Sequence, residues 1–289
     1  MRISGTMPAL ITPFRNGEVD EEALRALVER VIVGGCEGLV PCGTTGESVT
    51  LDEREHERVV RIVVEEAKRR VPVYAGAGTV STKHTIELAE LCKKAGADGL
   101  LLVCPYYNRP TQAGLEAHFR HVLAEVPMPS ILYNIPGRTG VDLALETLEK
   151  LADVKEIVAI KEATGNVMRS AQIVAKCGDR FSVLSGDDAL TLPMMAVGAM
   201  GVISVTSNVR PRETSRVTSL FLEGNLAEAR KQHLALLELH GLMFVEPNPA
   251  PAKAALAAAG VMEKTVRGPL APCSAELEAK VVAAISRLS

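Results

Sequence analysis

The sequence has no C-x-x-C pair. Its six cysteines (Cys36, Cys42, Cys92, Cys104, Cys177 and Cys273) are scattered along 289 residues, which excludes a disulfide framework and a zinc-knuckle spacing and leads us to expect reduced thiols in the cytoplasm. No His/Cys/Asp cluster with metal-ligand spacing is present, and His56 and His84 each stand alone, so surface positions are expected for both and no metal or cofactor is expected. The chain also lacks a charge excess. A net charge of −3 gives no reason to expect nucleic acid or an anionic membrane as partner. No targeting segment is expected at the N-terminus, where Pro8 and Pro13 interrupt the apolar stretch. Only residues 189–209 form an uncharged stretch near spanning length. Pro193, Thr206, Ser207 and Asn208 interrupt it, so a buried helix followed by a buried strand is the expectation.

What is present is a repeating pattern. Short apolar runs at 7–14, 38–43, 72–78, 99–107, 130–136, 157–162, 181–185 and 202–206 alternate with longer helical patterns. Asp20 and Asp52 stand where N-caps belong, each followed by acidic residues. Strands alternating with helices imply parallel βαβ units, and eight such runs with no charged edge imply an α/β fold of the closed (β/α)8 TIM-barrel type. An open doubly wound sheet is the other possibility, but Gly76-Ala77-Gly78 lacks the third glycine of a dinucleotide fingerprint. After the eighth run only helical patterns follow. The expected division is a catalytic barrel over residues 1–224 and a three-helix extension over residues 225–289.

In such a barrel the reacting groups lie at the C-terminal strand ends. The sixth run carries Lys161 directly after Val158-Ala159-Ile160. Burial there disfavours the ammonium, and a neutral amine is a nucleophile toward carbonyl carbon. A lysine that snorkels to water is the plainer alternative. Val-Ala-Ile-Lys also occurs in protein kinases, but the glycine-rich loop, His-Arg-Asp and Asp-Phe-Gly that must accompany it are missing. The second run ends in Gly43-Thr44-Thr45-Gly46-Glu47, either an anion nest of backbone amides or a plain glycine turn. Three of the four tyrosines, Tyr106, Tyr107 and Tyr133, stand at strand ends. Arg138, between Gly137 and Gly140, offers a planar fork for a carboxylate or pairs with a neighbouring acid.

Three stretches in order, Gly43-Thr44-Thr45-Gly46-Glu47, Tyr133-Asn134-Ile135-Pro136-Gly137-Arg138-Thr139-Gly140 and Lys161-Glu162-Ala163, resemble the signatures of the dihydrodipicolinate synthase family of pyruvate-dependent, Schiff-base aldolases. The resemblance runs from Thr12-Pro13-Phe14 to Glu246-Pro247-Asn248-Pro249. It implies a lyase of lysine (diaminopimelate) biosynthesis that condenses pyruvate with aspartate 4-semialdehyde to 4-hydroxy-tetrahydrodipicolinate. Lys161 would form the imine with pyruvate, and the amides of Thr44 and Thr45 would hold its carboxylate. Tyr133 would move protons, linked through Thr44 to a Tyr107 supplied by a neighbouring subunit. Arg138 would meet the carboxylate of the aldehyde, and Gly186 and the Ile203 carbonyl would line the pocket. A homo-oligomer follows, a dimer for Tyr107 and in many members a tetramer.

Family members often carry a feedback site for lysine. Ser48, His56 and Tyr106 match the sensitive type, but Val80, His84 and Glu53 depart from it, so weak or absent inhibition is expected. Aldolases of N-acetylneuraminate, 2-keto-3-deoxy sugar acids or 4-hydroxy-2-oxoglutarate share the lysine and tyrosine and are the nearest alternatives, and a non-catalytic ligand sensor on the same barrel is the more distant one. Thr45, Tyr107 and Arg138 together favour a short, charged aldehyde.

Overall fold

The computed structural model describes residues 2–288. Seven strands, Gly5–Pro8, Tyr74–Gly76, Gly99–Val103, Ser130–Asn134, Ile157–Glu162, Ser182–Ser185 and Gly201–Ser204, form one parallel sheet in which the first pairs with the last. The ring closes through residues 39–40. Ala9 bridges Val40, Leu39 bridges Val73, and the Val40 amide donates to the Pro8 carbonyl at 3.0 Å. The result is the expected eight-stranded barrel, but its second strand is shorter than the run at 38–43 suggested. Pro41 has no N–H to donate, and Cys42 takes a positive φ of 55° that turns the chain off the ladder. The first strand is also shorter than its apolar run. Phe14–Arg15 leaves the barrel and pairs antiparallel with Glu18–Val19 around Asn16-Gly17.

Strand alternation sorts the side chains into two cores. Leu101, Ile131, Tyr133, Ala159, Leu184 and Ile203 point into the barrel with Met7, Val40 and Tyr74. Their neighbours Leu100, Leu102, Leu132, Ile160 and Val183 point outward and pack under the helices. Both faces are therefore covered, which is why the runs read as continuous apolar stretches. Gly76 is required for closure, because a Cβ there would lie 2.0 Å from the Cys42 carbonyl oxygen.

The helices begin where capping chemistry starts them. Asp20 accepts from the Ala23 amide at 3.1 Å ahead of Glu21–Val33, and Asp52 forms a reciprocal capping box with Glu55 ahead of Glu53–Ala67. The stretch 189–209 resolves into the short helix Thr191–Ala196, the eighth strand and a tight turn at Thr206–Asn208. Among the described residues no helix is long and apolar enough to cross a membrane. Beyond the helix Pro211–Leu222 come Leu226–Leu242, Ala250–Ala258 and Ala275–Arg287. His56 is a correction to the sequence reading. It is buried rather than on the surface, because it lies on the inward face of Glu53–Ala67, with Nε2 3.7 Å from the Cys92 sulfur.

Candidate active site

Strand register puts Tyr133 beside Lys161 on adjacent strands, both facing the barrel interior above Ile131 and Ala159. Lys161 is 5% exposed, with Nζ 4.3 Å from the centre of the Tyr133 ring. Loss of water lowers its pKa from 10.5 to about 8, against an opposing pull from the Asp188 carboxylate, and the Arg138 charge adds to the lowering. The same dryness pushes the Tyr133 phenol up to about 12, while Arg138 and a hydrogen bond with Thr44 favour its anion. Amine and phenol thus sit in one dry pocket, each shifted by desolvation toward its own neutral form.

Glu162, next in the strand, points the other way and is fully engaged. It meets Arg169 Nε at 3.1 Å, Asn134 Nδ2 at 3.2 Å and the Thr164 amide at 2.9 Å. Gly186, at the end of the seventh strand, leaves room for the lysine stem, since a Cβ there would meet Lys161 Cε at 3.2 Å. Asp188 is buried beneath the site and accepts from Ser204 Oγ at 2.5 Å and from the Val205 and Thr206 amides at 2.9 and 3.1 Å. It ties the seventh strand end to the eighth, directly after the buried Ile203.

The loop after the second strand is held by its own backbone. The Gly46 and Ser48 amides donate to the Gly43 carbonyl and the Glu47 amide to the Thr44 carbonyl, while Thr12 Oγ1 donates to the Gly46 carbonyl at 2.7 Å. Among the described residues the amides of Thr44 and Thr45 donate to nothing. Adjacent N–H groups without a partner are the raw material of an oxyanion nest. Thr44 is exposed, whereas Thr45 is buried, its Oγ1 accepting from Asn248 Nδ2 at 2.9 Å.

Thr44, Tyr133, Ile135 and Arg138 form one end of a cavity of about 440 Å³. Lys161 is not part of its wall but lies behind Tyr133. Among the described residues Arg138 makes no ion pair, so its fork is available at the rim. The far end holds Glu53, Val80, His84 and the buried His56, whose ring is pushed down to about 4 by desolvation. His84 Nδ1 lies 3.3 Å from Glu87 and 4.0 Å from Glu53, so the histidine that departs from the lysine-sensitive pattern is already engaged with acids.

Tyr107 stands apart from the other site residues. It is 91% exposed and held at φ 65°, a left-handed conformation uncommon for a bulky side chain. Tyr106 is half-buried at the cavity wall, and the fourth tyrosine, Tyr74, is buried inside the barrel. Among the described residues no group of three His, Cys, Asp or Glu side chains is arranged to hold a metal ion. Sequence reasoning missed the roles of Asp188 and Asn248. Asp188 carried no signal in the sequence, and Asn248 entered only at the end of the stretch that bears the family resemblance.

Comparison with known proteins agrees with this geometry. The Dihydrodipicolinate synthetase family profile matches residues 2–288. The 4-hydroxy-tetrahydrodipicolinate synthase of Sorangium cellulosum (strain So ce56) is 60% identical over 289 residues, 99% of this chain and 96% of that one. The structure of the 4-hydroxy-tetrahydrodipicolinate synthase from the methanotroph Methylacidiphilum fumariolicum SolV superposes with a TM-score of 0.97 at 46% identity, covering 99% of this chain and 96% of that one. A structure described as the first monomeric dihydrodipicolinate synthase variant superposes with a TM-score of 0.97 at 38% identity, covering 99% and 96%. With residues 2–288 matched throughout, the chain belongs to the dihydrodipicolinate synthetase family.

Proposed function

We infer that this chain is a 4-hydroxy-tetrahydrodipicolinate synthase, a Schiff-base lyase that joins pyruvate to aspartate 4-semialdehyde on the route to diaminopimelate and lysine. The observation that carries this reading is the register pair Tyr133 and Lys161, buried together beside the free amides of Thr44 and Thr45.

The neutral Lys161 amine attacks the keto carbon of pyruvate, and loss of water gives a protonated imine. Thr44 and Thr45 hold the carboxylate by their amides, which fixes the keto carbon against Nζ. Tyr133 is protonated at neutral pH and donates the proton that lets water leave. The imine then acts as electron sink while a methyl proton is removed, giving the enamine, whose carbon adds to the aldehyde. The amino group of the bound aldehyde displaces Lys161 from the imine carbon as the ring closes, which frees the enzyme. Arg138, exposed at the rim, suits the carboxylate of the incoming aldehyde. Gly186 and the Ile203 carbonyl border the reacting end.

Protons leave Tyr133 through Thr44 toward Tyr107 of a second subunit. The exposure and left-handed backbone of Tyr107 support this, since such a side chain on a fixed turn is suited to insertion into a partner's site. Assembly as a homodimer, and of two dimers as a tetramer, is part of this proposal, as are a cytoplasmic location and a functional division near residue 224. The direct test is borohydride reduction with pyruvate followed by peptide mass spectrometry. An adduct on Lys161, absent from Lys161→Ala, is expected. Recovery of Lys161 unmodified would overturn the reading and leave a non-catalytic sensor.

A further inference from the structure

The Thr44–Thr45 loop is gripped from behind by a segment more than two hundred residues later. Glu47, which ends the loop, sits at φ 54° and is 2% exposed. Its Oε2 accepts from the Arg267 amide at 2.8 Å. Its Oε1 meets Lys253 Nζ at 2.5 Å in a buried ion pair. Lys253 is fully buried, and its ammonium also donates to the Thr265 carbonyl at 2.8 Å. The ring of Phe14 lies under both cations, 4.2 Å from Lys253 Nζ and 4.2 Å from the Arg267 guanidinium carbon. Arg267 continues to the Thr50 and Gly17 carbonyls at 2.9 and 2.7 Å and to both oxygens of Glu55 at 2.6 and 2.5 Å. Asn248 completes the grip on Thr45.

Burying an ion pair of this kind yields little net stability, because desolvation offsets the attraction. What it does supply is a fixed backbone. Glu47 is two residues from Thr45, and its left-handed turn sets the direction of the preceding amides. We propose that Glu47 and Lys253 are a positioning pair, which holds the Thr44 and Thr45 amides in the orientation that captures the oxo-acid carboxylate and so makes the C-terminal helices part of pyruvate binding. Neither side chain touches the substrate. The inference rests on the pyruvate reading above.

The two are tested separately in the full-length enzyme. Wild type must first be trapped by pyruvate and borohydride; failure there removes the pyruvate reading itself. Given trapping, Lys253→Met is expected to lower kcat/KM for pyruvate at least tenfold while kcat/KM for the aldehyde stays within threefold. The neutral pair Glu47→Gln with Lys253→Met is expected to recover at least half of that loss on a logarithmic scale, since neither partner is then left as an unpaired buried charge. A folded Lys253→Met enzyme with pyruvate kcat/KM within twofold of wild type overturns the positioning role, as does an equal fall for both substrates. If Lys253→Met does not fold, Glu47→Gln decides: a selective fall for pyruvate supports the role, and unchanged kinetics overturn it.

Discussion

Replacing Lys161 by methionine removes a buried amine and keeps most of its aliphatic stem. The fold depresses the amine from 10.5 to about 8, so at pH 7 about 10% is neutral, against roughly 0.03% for an ordinary lysine. That gain in nucleophile is a loss in stability. A depressed lysine pKa means the native state disfavours the ammonium, so the penalty is fully present below about pH 8 and disappears as pH rises toward 10.5. Its size at pH 7 is about 3 kcal/mol, falling to about 1 kcal/mol near pH 9.5. Lys161→Met is therefore expected to lose all turnover and yet raise the thermal midpoint at pH 7 by about 6 °C. The assay is a pair of denaturation curves, wild type against variant, at several pH values between about 7 and 10. The gap should narrow steadily with rising pH. A variant less stable than wild type at pH 7, or a gap independent of pH, would refute the claim that desolvation activates this amine.

Tyr133→Phe should lower kcat by about 10²-fold or more while leaving the fold intact, measured by steady-state kinetics and circular dichroism. Arg138→Ala should lower kcat/KM for aspartate 4-semialdehyde about tenfold or more with trapping by pyruvate unchanged; equal loss on both substrates would remove Arg138 from aldehyde binding. Lysine should inhibit weakly or not at all, because Val80 offers no polar group and His84 is paired with Glu53 and Glu87. Half-inhibition at submillimolar lysine in an initial-rate assay would contradict this. Offered sugar-derived aldehydes in place of aspartate 4-semialdehyde, the enzyme should show a lower kcat/KM with each.

The barrel was legible because its strands are buried on both faces, which leaves short apolar runs broken by capped helices. Lys161 could be found for the same reason, as a cation near the end of such a run inside the barrel. Tyr133 followed from its place at the end of the neighbouring run, and register put the two side by side. Strand limits were less legible. Apolar character continued past Pro41, but hydrogen bonding could not. His56 was misplaced because a lone histidine on a charged helix gives no sign of the face it occupies, and only the packing against Cys92 decides it. The Glu47–Lys253 pair was invisible in principle. Its members lie at opposite ends of the chain, and each alone reads as an ordinary surface charge.

The contact of Phe14 with Lys253 and Arg267 also bears on how the protein is made. Synthesis delivers Phe14 and the Thr44–Thr45 turn early and both cations near the very end. A nascent chain that has emitted all eight strands still carries a Glu47 carboxylate with nothing opposite it. On the positioning role proposed above, capture of the acid would begin only when the final helices are in place.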